Sequence, residues 1–337
     1  MTIGHAMLNH SIFRKRTVLP LSVGLATVVT VSGCGGVQAG GSEDYPTREV
    51  GLVAPFSAGG STDLTARALA ESMEDPLGQS VVVENLPGAN GGVGTQDALN
   101  READGYSTLL ASQSLYSVTP LFVEDATKTT LDDMEIVAPV SEEGYALVVN
   151  ADSPHQDLKS LLAKDQIRYA TSGVGSGAQF SSAGLFALAG ANAVDVPFDG
   201  GAPAVTSVLG GHTDAVTAQI AEVMPRIKDG SLRPLAVFSE EREEMLSDVP
   251  TAKELGYDFT VVQRRWVAVP KDTPEAAVEA LRTAVEEGKD SESFQDFTKT
   301  SYIAEWDVEP TEIRSIVEAD TAKYEQLTEE FEIGKSK

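Results

Sequence analysis

The chain is poor in the side chains that most often carry chemistry in enzymes and metal proteins. It has one cysteine, Cys34, and four histidines among its 337 residues. A single cysteine excludes a disulfide within the chain. Only His155 and His212 lie beyond the N-terminal leader described below, and their spacing is not that of metal ligands. We therefore expect no metal site and no bound cofactor.

Basic residues are also scarce. The chain has 25 lysines and arginines against 51 aspartates and glutamates. The leader holds three of the basic residues and no acidic one, so the mature chain would carry 22 against 51, a net charge of −29. Such a surface repels nucleic acid and anionic lipid headgroups, which excludes both as expected partners.

Long apolar runs are nearly absent, and the one at the N-terminus has the features of a leader. The stretch from Val18 to Val31 follows the basic residues 14–16 and is too short to predict a membrane span. It ends in "VSGC", with small residues directly before Cys34. We predict a lipoprotein signal peptide over 1–33, lipid attachment at Cys34 and a flexible tether over 34–44. A plain secretory signal with an incidental cysteine is the alternative.

Beyond the tether, strand-like and helix-like segments alternate. Predicted strands cover 49–56, 80–86, 106–112, 135–141, 145–151, 232–239 and 266–270, and each of the segments 167–190, 193–211 and 213–230 is predicted to begin with a strand and continue into a helix. A helix is predicted from Ser61 to Met73, others follow several of the strands, and the tail from Pro274 to Glu330 is mostly helical, with a short strand near 303–306. This alternation predicts an α/β fold with mainly parallel sheets flanked by helices.

Several predicted strands end in loops rich in glycine and serine. Gly59, Gly60 and Ser61 form the first of these loops, just before a helix. Glycine lets a ligand approach the backbone closely, and the start of a helix exposes unpaired N–H groups, so this loop predicts an anion site. Because the carboxyl ends of parallel strands meet at one edge, several such loops predict a cleft.

The order of the elements also predicts a domain division. One domain is expected over 45–145 and 267–337 and a second over 146–266, joined by two crossings that act as a hinge. One continuous sheet with structural glycines is the alternative.

Six segments in order resemble one receptor family. They are "VAPFSAGGSTDLTAR" (53–67), "VVVENLPGANGGVGTQDAL" (81–99), "DGYSTLL" (104–110), "VPFDGGAPAVTSVLGGHTD" (196–214), "LRPLAVFSEER" (232–242) and "DVPTAKELGY" (248–257). They look like the extracytoplasmic solute receptors of tripartite tricarboxylate transporters, the Bug family. The resemblance runs from about Tyr45 to the C-terminus.

The resemblance implies a two-domain clam-shell protein of the periplasmic-binding-protein kind. It would be a monomer outside the cytoplasm, would bind a small organic carboxylate between its domains and would deliver it to a membrane permease. The ligand-binding residues implied by the resemblance, together with candidates beside them, are Phe56, Gly59, Gly60, Ser61, Asp63, Ser112, Gln113, Thr171, Ser172, Gly175, Ser176, Gln179, Phe198, Gly200, Gly201 and Gln219.

The sequence also departs from the family pattern. Gln179 stands where the family commonly has histidine, and Phe198–Asp199–Gly200 replaces a frequent Tyr–Lys–Gly. The loss of a hydroxyl and a cation leaves open an amino acid or other zwitterionic ligand. A lipoprotein that senses a ligand rather than transporting it also stays open.

Three further candidates have two interpretations each. Asp63 either stabilises the helix start or binds a ligand amine. The pair Arg264–Arg265 is either solvated or reaches a distal carboxylate of the ligand. Trp266 either packs in the core or covers the ligand.

We predict that the protein is not an enzyme. The loop 173–178, "GVGSGA", fails the nucleophile pattern G-x-S-x-G because Val174 stands where the first glycine is needed. No G-x-G-x-x-G follows a predicted strand. The "GKS" at 334–336 lacks the first glycine of a phosphate-binding loop, since Glu329 is in its place.

Overall fold

The computed structural model of the protein describes residues 45–123 and 129–333. The predicted signal peptide, lipid site and tether lie outside these residues. The strands of the described part are β1 (Val50–Ala54), β2 (Val81–Asn85), β3 (Ser107–Ser112), β4 (Met134–Asn150), β5 (Ile167–Thr171), β6 (Ala193–Pro197), β7 (Ala215–Gln219), β8 (Leu232–Val237), β9 (Val262–Pro270) and β10 (Ala304–Glu305). The α-helices are α1 (Ser61–Leu77), α2 (Gly92–Leu99), α3 (Gln113–Ser117), α4 (Thr119–Phe122), α5 (Leu158–Leu162), α6 (Gly177–Leu188), α7 (Gly201–Leu209), α8 (Ile220–Lys228), α9 (Glu275–Lys289), α10 (Glu292–Ser301) and α11 (Pro310–Phe331).

The strands pair in the order β2-β1-β3-β9-β4-β7-β5-β6, with β8 and β10 also paired to β4. The outer three strands on each side are parallel, whereas β9, β4 and their neighbours pair antiparallel. The sheet is therefore mixed, with the predicted parallel strands at its two outer sides.

Strand β4 joins the two sides. Residues 134–144 pair with β9, and residues 145–150 pair with β7 and β8. We call β1, β2, β3, β9, β10 and residues 134–144 the first sheet half, and β5 to β8 with residues 145–150 the second. The prediction of separate strands at 135–141 and 145–151 was wrong, since one strand runs through both.

Side-chain alternation along the strands builds the cores. Val50, Leu52 and Ala54 of β1 face a core closed by α1, α9 and α10, and Val53 faces the opposite core with α2 and α11. A strand turns successive side chains to opposite faces of its sheet, so a strand without polar alternation is covered by helices on both sides.

The second sheet half is covered in the same way. Tyr145, Leu147 and Val149 of β4 pack under α5 and α6, whereas Ala146 and Val148 pack under α7 and α8. The fold class is thus α/β, with a sheet sandwiched by helices in both halves.

Helix α11 touches both halves. Its residues Ile313 and Val317 pack in the first half, and Tyr324 packs in the core of the second. The ring centroids of Tyr324 and Phe180 lie 4.7 Å apart. This contact crosses the predicted domain division, which stays a prediction.

Within residues 45–123 and 129–333, no helix has the length and apolar character needed to cross a membrane.

Candidate functional site

A cleft of about 780 Å³ opens where six strand–helix junctions meet. Three junctions follow β1, β2 and β3 of the first sheet half, and three follow β5, β6 and β7 of the second. These are carboxyl ends of parallel strands, the edge at which open α/β sheets bind ligands. The cleft is large enough for a small organic molecule.

Ten of the sixteen residues predicted to bind the ligand line this cleft. They are Phe56, Gly60, Ser61, Ser112, Ser172, Ser176, Phe198, Gly200, Gly201 and Gln219. Chain segments far apart in sequence therefore meet at one place.

The other six predicted residues do not line the cleft. They are Gly59, Asp63, Gln113, Thr171, Gly175 and Gln179. Their polar groups hold the cleft loops in place. Thr171 Oγ1 and Gln179 Nε2 donate to the two carboxylate oxygens of Asp195, at 2.9 and 2.6 Å. The Gly175 N–H donates to Gln179 Oε1 at 2.7 Å. Their assignment as ligand contacts therefore has no support from their position.

Asp63 stabilises the first loop and the start of α1. Its carboxylate accepts the Gly59 N–H at 2.8 Å and Asn85 Nδ2 at 2.9 Å, and it pairs with Arg67 at 2.9 Å. Burial alone would raise the pKa of Asp63, but Arg67, the Gly59 N–H and Asn85 together hold it below its usual value. Both carboxylate oxygens are engaged, which favours the structural interpretation over contact with a ligand amine.

A buried ion pair lies beneath the first loop. Glu143 of β4 and Arg265 of β9 are both almost fully buried and lie 3.3 Å apart. The Arg265 guanidinium also donates to Thr62 Oγ1 at 3.0 Å and to Ser61 Oγ at 3.2 Å. Neither interpretation of Arg265 was right, because it is neither solvated nor free to reach a ligand.

Glu143 connects α1 to α8. Its Oε2 accepts the Ser61 hydroxyl at 2.5 Å, and its Oε1 accepts the Ala221 N–H at 3.0 Å. Burial raises the pKa of Glu143, whereas Arg265, Ser61 and the Ala221 N–H lower it. The first sheet half and the start of α8 are therefore joined through one carboxylate.

The two neighbouring candidates also serve the structure. Arg264 pairs with Glu142 and Asp320, and Gln113 Nε2 donates to Asp320 at 2.8 Å. Trp266 is fully buried in the core of the first half, in agreement with its interpretation as a core residue.

The electrostatics of the cleft come from helix ends rather than from basic side chains. The first residues of α1, α6 and α7 and the residue before α8 all line it. Helix starts carry unpaired N–H groups and a partial positive charge. Among the described residues that line the cleft, none is lysine, arginine or histidine, and two, Asp199 and Glu222, are acidic. No cluster of metal-ligating side chains occurs in the described part of the chain.

Known proteins are similar to this chain in sequence and in fold. The description "tripartite tricarboxylate transporter family receptor" belongs to the family profile that matches residues 65–333. This chain belongs to that family.

Individual relatives agree with this assignment. Protein BugT of Bordetella pertussis is 34% identical over 279 residues, which cover 80% of this chain and 85% of that protein. The solved periplasmic binding protein BugD is 30% identical with a TM-score of 0.80, over 87% of this chain and 100% of that one. A solved R. palustris protein, Rpa4515 with adipate, is 26% identical with a TM-score of 0.81, over 86% and 99%. The resemblance to the Bug family and the two-domain binding-protein fold are thereby confirmed.

The sequence analysis missed several residues that line the cleft, among them Tyr145, Gln263, Asn90 and Glu222. Tyr145 Oη donates to Gln263 Oε1 at 3.1 Å, and Gln263 Nε2 donates to Ser112 Oγ at 2.8 Å. These bonds form a polar chain through the cleft from β4 to β3. Nothing in the sequence near Gln263 signals this role, because it depends on pairing between distant strands.

Asn90 and Glu222 also line the cleft. Asn90 Nδ2 donates across it to the carbonyl of Gly175 at 2.8 Å, so the two sheet halves touch here. Glu222 lies in the first turn of α8, where an acidic residue is common because it stabilises the helix start. That signal is visible in the sequence, but it does not show that the side chain faces a cleft.

Proposed function

We propose that this receptor captures a small organic carboxylate in its cleft outside the cytoplasm, for delivery to a membrane permease of the tripartite type. The observation that carries the proposal is the convergence of four helix starts on one cleft. Such ends bind anions without a lysine or arginine. The likeness to a protein solved with adipate supports the same ligand class.

The first loop remains the proposed carboxylate contact. Its Gly59 N–H donates to Asp63 and its Ser61 N–H faces the Glu222 carboxylate, so Gly60 is the residue of this loop proposed to donate to the ligand, together with the starts of α6 and α7. Hydrogen bonds to charged groups contribute roughly 1.5–3 kcal/mol each, so three or four would supply much of the roughly 8 kcal/mol of micromolar binding.

Calorimetric titration of the mature chain with adipate, succinate and glutarate tests the proposal. A Cβ on Gly60 would make only ordinary contacts, 3.6 Å to the Ser57 carbonyl and 3.8 Å to Glu222 Oε1. Gly60→Ala is therefore expected to bind nearly as the parent. Gly60→Val places methyl groups before the N–H donors and is expected to bind at least tenfold more weakly. Equal affinity of the valine variant, with an unchanged melting temperature, would contradict the proposed contact.

We further propose that lipid on Cys34 anchors the receptor to the membrane. The small residues before this cysteine and the single apolar run motivate this. A Cys34→Ala variant is expected to be released from membranes or to persist as an unprocessed precursor. Normal lipid labelling of this variant would contradict the anchor.

A further inference from the structure

Glu222 places a carboxylate inside the cleft. Its side chain lines the cleft wall, and a Cβ on Gly201 would lie 1.9 Å from its Oε2. The carboxylate is therefore packed directly against the backbone at the start of α7. The N–H groups of Gln219 and Ser61 lie close enough to stabilise its ionised form.

This carboxylate has no cationic partner. Arg265 acts on it electrostatically, but the guanidinium is bound to Glu143, Ser61 and Thr62. None of the ion pairs formed among residues 45–123 and 129–333 includes Glu222. Asp199, exposed at the rim, adds a second acidic side chain to the same wall.

A charge in this position is costly when it is unpaired. Burial and the nearby Glu143 raise the pKa of Glu222 to about 7. A ligand ammonium beside it would favour the ionised form. A second carboxylate beside it would favour the protonated form. The two kinds of ligand therefore differ in the sign of the proton exchange that accompanies binding.

We propose that Glu222 makes the cleft selective for a ligand that carries a protonated amine as well as its carboxylate. The ammonium pairs with Glu222, and the ligand carboxylate binds at the helix starts. A carboxylate offers about four acceptor sites, so lone pairs remain for an ammonium beside the two N–H groups. This inference rests on the proposed carboxylate receptor function and narrows its ligand class to amino-carboxylic acids.

Matched ligands that differ by one amine test the proposal. The pairs are 2-aminoadipate with adipate, aspartate with succinate, and glutamate with glutarate, titrated calorimetrically into the mature chain. In at least one pair the amino acid is expected to bind tenfold or more tightly than the plain diacid. Glu222→Gln keeps the side-chain shape and is expected to abolish this preference. Glu71→Gln, a control at an exposed residue of α1 that does not line the cleft, is expected to keep it within about twofold.

The outcomes separate this proposal from the receptor function. Binding of the diacids with no gain from the amine contradicts the role of Glu222 and leaves the carboxylate function intact. Binding of no ligand in any pair contradicts both. A preference that survives in Glu222→Gln, folded with a parent-like melting temperature, also overturns the role of Glu222.

Proton exchange gives a second measurement. Titrations at pH 7 in two buffers of different ionisation enthalpy should show that an amino acid releases protons from Glu222 on binding. In Glu222→Gln this release is expected to vanish. Proton uptake with the amino acid in the parent chain would contradict the pairing.

Discussion

Two carboxylates meet the same serine, but only one of them is paired with a cation. Glu143 accepts the Ser61 hydroxyl beneath the cleft, where it is buried with Arg265 and the Ala221 N–H. Glu222 faces the Ser61 N–H from the cleft wall and has no cation. The Glu143 carboxylate, which has a cation and hydrogen-bond donors around it, connects parts of the fold. The Glu222 carboxylate lies in the cleft without a cation, and this is the reason to propose a ligand that carries an amine.

The largest expected effect follows from removing the cation beneath the cleft. Arg265→Met leaves Glu143 buried without its counter-charge, which typically costs about 3–5 kcal/mol. Urea unfolding measures this loss. Arg226→Met is the control, because its side chain is about half exposed and pairs with Asp229, whose side chain is also exposed. Its expected cost is about 1 kcal/mol. Equal losses in the free energy of unfolding for the two variants would contradict the larger penalty expected for leaving the buried Glu143 unpaired.

The next effect tests the packing of Glu222 on Gly201. Gly201→Ala places a Cβ 1.9 Å from Glu222 Oε2, so the carboxylate must move. In a Glu222→Ala background the same change should be tolerated, which predicts a coupling energy of about 0.5–3 kcal/mol in a double-mutant cycle. Gly60→Ala, whose Cβ would lie 3.8 Å from Glu222 Oε1, is the control and should show little coupling. Additive effects for Gly201→Ala would place the carboxylate elsewhere.

An effect of comparable size concerns pH. The pKa of Glu222 is raised from its ordinary 4.5 to about 7 in the folded chain by burial and Glu143. The folded state then binds more protons than the unfolded state between these values, so stability falls as pH rises through this window. Glu222→Gln lacks this titrating carboxyl group. Its free energy of unfolding relative to that of the parent should therefore increase from pH 4.5 to 7 and then level off. Urea unfolding at several pH values measures the difference. A constant difference over this range would show that Glu222 titrates normally.

The smallest effect concerns the acid that the fold does satisfy. The pKa of Asp63 is lowered, so its stabilisation is present above its ordinary pKa of 3.8 and is lost as pH falls through the lower folded value. Asp63→Asn is expected to cost about 0.5–1 kcal/mol at pH 7. Ligand affinity should change less than twofold, in contrast to Glu222→Gln. A large loss of ligand affinity in Asp63→Asn would indicate that Asp63 contacts the ligand.

Local patterns predicted most strands and the loops that form the cleft. Apolar runs ending in glycine and serine signalled β1, β5 and β6, because the information lies within a few residues. The continuous strand β4 was missed because the "SEEGY" at 141–145 has the composition of a turn. In β4, the buried Glu143 pairs with Arg265, and Gly144 leaves room for Glu243, whose Oε1 would lie 2.4 Å from a Cβ there. Both partners are distant in sequence.

The acidic wall of the cleft was missed for a related reason. Acidic residues spread along a chain are usually solvated, and Glu222 stands in an ordinary helix start. Its position in the cleft depends on Ser61 and Gly201, which belong to two other helices. The net charge of the chain therefore predicted an acidic surface, but it could not predict that an acidic side chain lies in the cleft.

Helix α11 limits how the cleft can open. Its 22 residues form a rod about 33 Å long, which packs on the first half through Ile313 and Val317 and on the second half through Tyr324, Leu327 and Phe331. A wide swing of the halves would have to pull the Tyr324 ring away from Phe180. A small rotation about the rod would keep this contact. We therefore expect the cleft to admit its ligand through a small rotation of the two sheet halves about the axis of α11, and not through a wide separation of the halves.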